Sequence, residues 1–177
     1  MQMDVFDAIK ARRSVRKFEQ RPIPEEVLSR ILEAGRLAPS ASNRQPWHFV
    51  VVKDLERKKR LSEGRYAHFL TETPVVVAGC GDAERSPRWY AVDVTIALQQ
   101  MVLAATELGV GTCWIGSFDE EPVRNCLKVP ENFRVVAMLA IGYPADKLDL
   151  AALLTKSKSR AAIEEITSEE EFGNPRK

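Results

Sequence analysis

The chain is poor in the residues that most often carry chemistry. It has two histidines, His48 and His68, and three cysteines, Cys80, Cys113 and Cys126. An odd number of widely spaced cysteines argues against a disulfide framework and against a zinc site, and leaves buried free thiols as the plain expectation. No HExxH pair, nucleophile elbow or Walker A loop occurs. Gly109-Val110-Gly111 lacks the third glycine of a dinucleotide fingerprint and follows a helical pattern where a strand is needed. Long apolar runs are missing too: none approaches the roughly 20 residues of a membrane span. The opening Met1-Gln2-Met3-Asp4-Val5-Phe6 has no signal-peptide core, so the expectation is a cytoplasmic protein with no membrane partner. Charge of one sign is also absent. The formal net charge is +1, basic residues lie among acids, and aromatics do not interleave with them, which points away from nucleic acid. With no evident acid, base or metal ligand set, such a chain either performs no chemistry or takes it from a cofactor.

What is present suffices for a core. The 177 residues are 45% hydrophobic, with no internal repeat and no composition shift, which indicates one domain over 1–177 whose stretch 146–177 is an extended charged tail. Val5, Phe6 and Ile9 at helical spacing after Asp4 indicate a short first helix. Pro24-Glu25-Glu26 starts a second, with Val27, Leu28, Ile31 and Leu32 as its stripe and an end near Gly35. His48 to Val52 reads as a strand. Asp54 to Leu61 reads as a surface helix whose run Arg57-Lys58-Lys59-Arg60 is a solvated face. Pro74 to Cys80 is a continuous apolar strand suited to the middle of a sheet. Trp89 to Leu108 is the longest helix, stopped by Gly109. Its small Ala97, Ala104 and Ala105 suit close approach of another helix, either across a dimer interface or within an ordinary core. A short strand over 112–115, a helix from Asp119 to Leu127, a strand over 133–141 and a helical stretch near 161–166 complete the chain. Irregular alternation of helices and strands indicates an α+β fold.

Four polar constellations stand out. Arg12-Arg13-Ser14-Val15-Arg16-Lys17 packs cations and a hydroxyl together. Arginine forks suit phosphate oxygens and Ser14 adds a directional donor, although a short basic run is also simply a solvated face. The loop 39–47 frames Ser40, Ser42, Asn43 and Gln45 between Pro39 and Pro46. That is either a polar surface turn or the edge recognition that a flat heteroaromatic ring needs. Gly109 to Gly116 is either a helix stop before an edge strand or a segment whose small residues let backbone approach a ligand. Lys156-Ser157-Lys158-Ser159-Arg160 is a second basic cluster, solvated or convergent with the first.

Together and in this order, RRSVR, PSASNRQPW, GVGTCWIG, IGYP and the final KSR followed by acids and Phe172-Gly173 resemble the nitroreductase family, over about Asp4 to Gly173. The resemblance implies a central, mainly antiparallel sheet flanked by helices, with a C-terminal extension docking on a dimer partner. It implies a homodimer with FMN at the interface, NAD(P)H as co-substrate, and hydride passed through the flavin to an electron-poor acceptor such as a nitroaromatic or quinone. No side chain is implied as catalytic. By position, Arg12, Ser14 and Arg16, with Arg13 beside them, resemble the residues at the FMN phosphate and ring edge. Lys158 and Arg160 resemble a C-terminal phosphate clamp. Pro39, Ser40, Ala41 and Asn43, with Gln45, resemble a loop lent by the other subunit, and Ile115 and Gly116 would face the central ring through their backbone. The chain departs from larger members in having no insertion after the central helix, and Ile115 stands where many members carry a glutamate. Other flavin-using reactions of the same fold (dehalogenation, dehydrogenation, flavin cleavage) and a non-catalytic FMN-binding sensor or store remain as alternatives.

Overall fold

The apolar run after Pro74 becomes an interior strand, as its composition requires. In the computed structural model, which describes residues 3–63, 67–145 and 160–176, the strands are β1 (Trp47–Val52), β2 (Val75–Asp82), β3 (Gly111–Ile115) and β4 (Phe133–Gly142). They form one sheet in the order β1-β2-β4-β3, antiparallel throughout. Both faces of β2 are covered. Val76, Ala78 and Cys80 pack with Leu61, Val123 and Cys126 on one side. Val75 and Val77 pack with Leu28, Ile31, Val94, Leu98 and Met101 on the other. A strand covered on both faces reads as an unbroken apolar run. Burying each large aliphatic side chain contributes about 1.5–3 kcal/mol before entropy is counted.

The described residues form five α-helices. They are α1 (Val5–Ala11), α2 (Glu25–Arg36), α3 (Leu55–Leu61), α4 (Tyr90–Glu107) and α5 (Glu120–Leu127). Asp4 and Asp54 cap α1 and α3, accepting from the backbone N–H of Asp7 at 2.8 Å and of Arg57 at 3.0 Å. α4 ends in a Schellman turn. Gly109, at φ +71°, donates to the Thr106 carbonyl and Val110 donates to that of Ala105, so the chain turns sharply into β3.

One expectation changes. The basic run on α3 is not wholly solvated: Lys58 is buried and its ammonium donates to the Thr73 carbonyl at 2.7 Å, with burial lowering its pKa. Of the α4 alanines singled out, Ala97 and Ala105 are spent inside the chain and Ala104 is half-buried. Ala97 and Ala105 are fully buried, and the helix that comes close is α2, where a Cβ on Gly35 would lie 2.1 Å from Met101 Cε. The apolar surface that α1 and α4 leave outward is a different set, with Val5, Phe6, Ile9 and Val92 exposed. All three cysteines are free and buried, as expected.

The chain divides into two units, Met1–Lys147 and Leu148–Lys177, and the elements above belong to the first. In the second, the helical stretch expected near 161–166 is a single 3-10 turn, Ile163–Glu165, closed by the Thr167 hydroxyl donating to the Ile163 carbonyl at 2.7 Å. Ile163 and Ile166 find no cover there and are exposed, so one turn has no apolar face to stabilise its continuation.

Candidate functional site

The basic segment after α1 is tied to the glycine-rich segment by backbone hydrogen bonds. Ser14 forms a parallel bridge with Thr112, through Val15 N–H to the Thr112 carbonyl at 2.8 Å, and Phe18 forms an antiparallel bridge with Pro144. Glu19 N–H to the Tyr143 carbonyl and Ala145 N–H to the Lys17 carbonyl extend that join. Three of the sequence motifs are therefore sewn together along the free edge of β3. In an extended segment alternate residues share a face. Val15 and Phe18 are buried in the core, whereas Arg12, Ser14 and Arg16 are half-buried along the segment and Arg13 is exposed. No described carboxylate pairs with Arg12, Arg13 or Arg16. The close seat depends on Gly111, where a Cβ would lie 2.8 Å from Val15 Cγ2.

Further along the same strand, Ile115 is buried and Gly116 is exposed, with open space where its Cβ would point. The positive segment and this backbone opening thus flank one stretch of β3, which ends where α5 has not yet begun.

The loop carrying Pro39, Ser40, Ala41, Asn43 and Gln45 lies elsewhere. Its Ala41 N–H donates to Asp93 Oδ1 at 3.0 Å, in the first turn of α4, and Asp82 N–H donates to the Pro46 carbonyl at 2.8 Å. The basic segment sits past the opposite end of α4. The helix axis from Asp93 to Leu108 alone spans about 22 Å at 1.5 Å per residue. One chain therefore holds two separated groups of candidate residues and does not bring them together. Within the loop, Gln45 N–H donates to Ser40 Oγ at 2.9 Å, and Gln45 Nε2 donates to Asn43 Oδ1 at 3.1 Å. Ser40 keeps its own hydroxyl proton for another acceptor. Ser42, Asn43 and Gln45 all have positive φ, 51°, 54° and 49°, a conformation that costs a non-glycine residue about 1–2 kcal/mol. Lys158 lies outside the described residues, and Arg160 is exposed in the second unit.

Sequence reasoning missed Asp93. It is 2% exposed, a carboxylate beside Val94 and Ala97 on the apolar side of α4. That placement, an acid on a buried stripe, was the available signal. A separate groove of about 420 Å³ between α2 and β1, lined by Leu32, Trp47 and Phe49, contains none of the expected polar site residues.

The sheet covered by helices on both faces defines an α+β protein, with Arg12, Arg13 and Arg16 free of described carboxylate partners and open backbone at Gly116 along one strand edge. Comparison with known proteins makes this specific. The nitroreductase family model matches residues 9–75 and 62–143. A Methanothermobacter thermautotrophicus protein named as a candidate NADH dehydrogenase/NAD(P)H nitroreductase is 37% identical over 151 residues, 81% of this chain and 79% of its own. The 5,6-dimethylbenzimidazole synthase of Rhodospirillum rubrum is 32% identical, over 81% of this chain and 84% of its own. The solved FMN-dependent nitroreductase of Clostridium difficile superposes with a TM-score of 0.75 at 30% identity, covering 88% of this chain and 98% of its own. The chain belongs to the nitroreductase family and is an oxidoreductase of that NAD(P)H-dependent flavin type. Among the described residues no helix is long and apolar enough to cross a membrane.

Proposed function

We propose that this protein binds FMN and uses NAD(P)H to reduce an electron-poor acceptor, a nitroaromatic or quinone, in ping-pong fashion. The observation that carries the reading is the Ser14–Thr112 bridge, which seats Arg12, Ser14 and Arg16 beside the strand ending at Ile115 and Gly116. The donor set fits the group: unpaired guanidinium forks and a hydroxyl suit a phosphate, and the open space at Gly116 suits a flat ring against backbone. Bound FMN supplies the redox step, accepting hydride from the nicotinamide and passing electrons to the acceptor. The chain's own residues do the rest. Arg12 and Arg16 hold the phosphate and make the local potential positive, which favours a reduced, anionic ring. Ser14 would orient the phosphate or ring edge, and the backbone at Ile115 and Gly116 would face the ring. Lys158 and Arg160 remain proposed as a second pair of phosphate cations, on the family resemblance alone.

The reading includes a homodimer. Separation of the 39–45 loop from the basic segment leaves each chain with two halves of different sites, and a two-fold related copy completes both. The exposed Val5, Phe6 and Ile9 of α1 and Val92 of α4 are apolar surface that a second copy would cover. The likeness to a 5,6-dimethylbenzimidazole synthase favours a second reading, in which the flavin is itself the substrate and is cleaved. Steady-state turnover separates the two. Parallel double-reciprocal lines for NAD(P)H against a nitroaromatic or quinone support the first reading. No acceptor turnover, with loss of the flavin chromophore under oxygen and a reductant, supports the second.

A further inference from the structure

The 39–46 loop holds three left-handed non-glycine residues that work against its own stability, Ser42, Asn43 and Gln45. Left-handed non-glycine residues persist only when surrounding contacts over-determine them. Inside the loop, Asn43 N–H donates to the Ser40 carbonyl at 2.9 Å, Arg44 N–H to the Ala41 carbonyl at 3.1 Å and Gln45 N–H to Ser40 Oγ at 2.9 Å. These shape the turn but do not by themselves fix it against the body. Among the described residues two hydrogen bonds tie it to the body. One is backbone to backbone, Asp82 N–H to the Pro46 carbonyl. The other is made by a side chain, Asp93 Oδ1 accepting from Ala41 N–H at 3.0 Å.

Asp93 is itself fixed. It is almost fully buried, in the first turn of α4, where the helix dipole favours a carboxylate. Its second oxygen faces the hydroxyl of the fully buried Ser86 at 3.5 Å, and Ser86 is anchored by accepting from the N–H groups of Trp89 and Tyr90 through its carbonyl. Among the described residues no cation pairs with this carboxylate. A buried acid without a salt bridge, at the root of a strained polar loop, is costly to retain for packing alone.

We infer that Asp93 is a positioning residue for flavin recognition: through Ala41 it holds the Ser40–Gln45 loop in the left-handed form that presents its amides and hydroxyls to the ring of the FMN in the partner's half of the site. The inference rests on the flavin reading above and names a residue that touches neither flavin nor substrate.

The test uses the full-length protein, with FMN affinity measured by fluorescence quenching at 25 °C and folding measured separately by thermal melting of the apo form. Asp93→Ala weakens FMN binding about tenfold to a hundredfold, the range for loss of a hydrogen bond to a charged group. Asp93→Asn keeps an acceptor oxygen toward Ala41 and an amide that Ser86 can accept from, and it restores affinity to within about threefold of wild type. Ala41→Pro reads the contact from the other side, since it deletes the donor N–H. Ser40, at φ −142° and ψ 157°, already has the extended conformation that a following proline requires. The double variant Asp93→Ala/Ala41→Pro binds no more weakly than the weaker single. If Asp93→Ala precipitates, Ala41→Pro and Asp93→Asn still decide the matter. A lowered melting temperature with unchanged FMN affinity, or additive losses in the double variant, overturns the inference. A wild-type protein that binds no FMN overturns the flavin reading instead.

Discussion

Replacing Gly111 by alanine probes the joint on which the site depends. Gly111 has an ordinary backbone conformation, so Gly111→Ala alone should stabilise by about 0.4–1 kcal/mol through the unfolded chain. The structure opposes this. The new Cβ would lie 2.8 Å from Val15 Cγ2, 3.0 Å from Val15 Cβ and 3.1 Å from Pro144 Cγ. Val15 Cβ is not the loose end of a flexible chain, so relief must come from backbone movement at 14–16. Overpacking of this kind costs about 1–3 kcal/mol. The net is a loss of about 1–2 kcal/mol, which lowers the melting temperature by roughly 2–8 °C for a chain of this size. The same movement strains the Val15 N–H bond to Thr112 and displaces Ser14 and Arg16, so FMN affinity falls about tenfold or more. Gly109→Ala is the control. It is strained by φ +71° but meets nothing within 4 Å, so it loses stability by about 1 kcal/mol with FMN affinity unchanged. Urea melts and FMN titrations on both variants decide. A Gly111→Ala protein as stable as wild type with unaltered FMN affinity refutes the reasoning.

Other consequences are as direct. Arg12→Ala removes one unpaired guanidinium and weakens FMN binding about tenfold or more, read by equilibrium titration, with little change in apo stability because Arg12 makes no ion pair with a described carboxylate. Burial, with a smaller contribution from Glu120, pushes the Cys80 thiol up to about 11. Its neutral form is favoured by the fold, so that stability is complete below about pH 9 and is lost as the pH climbs through about 11, some 2–3 kcal/mol in all. Urea midpoints for wild type and Cys80→Ala across that window should converge at the alkaline end, and parallel curves would remove the assignment. Phe6→Glu places a charge on the outward face of α1, where Phe6 is 63% exposed. It should leave the melting temperature of the monomer nearly unchanged while shifting sedimentation from dimer to monomer and lowering FMN occupancy.

Much of the fold was legible because local chemistry agreed with it. Asp54 caps α3, Gly109 stops α4, and the unbroken run from Val75 marks an interior strand, each by a rule acting over a few residues. What was not legible shares a cause. Lys58 looked solvated because its neighbours are, yet its ammonium reaches the Thr73 carbonyl, a contact that sequence spacing does not encode. The alanines of α4 left open whether a neighbouring helix came from the same chain, and the close approach of α2, through Gly35 against Met101, is a long-range pairing that spacing does not encode. In the candidate site, the cations of 12–16 were visible as a cluster. Their seat beside Thr112 comes from one long-range backbone bridge, which has no residue preference to reveal it. The loop's left-handed Ser42 and Gln45 run against their intrinsic preference and so could not be read from composition. Such local violations are expected where a chain is shaped for a ligand instead of for stability alone.

The measurement that tests the central claim most directly is the visible absorption spectrum of the purified protein incubated with FMN and freed of excess, recorded anaerobically before and after NADH and then NADPH. The account predicts a retained flavin spectrum, about one FMN per chain, that bleaches promptly with at least one donor. A protein that retains no flavin, or one whose bound flavin neither nicotinamide reduces, would contradict it.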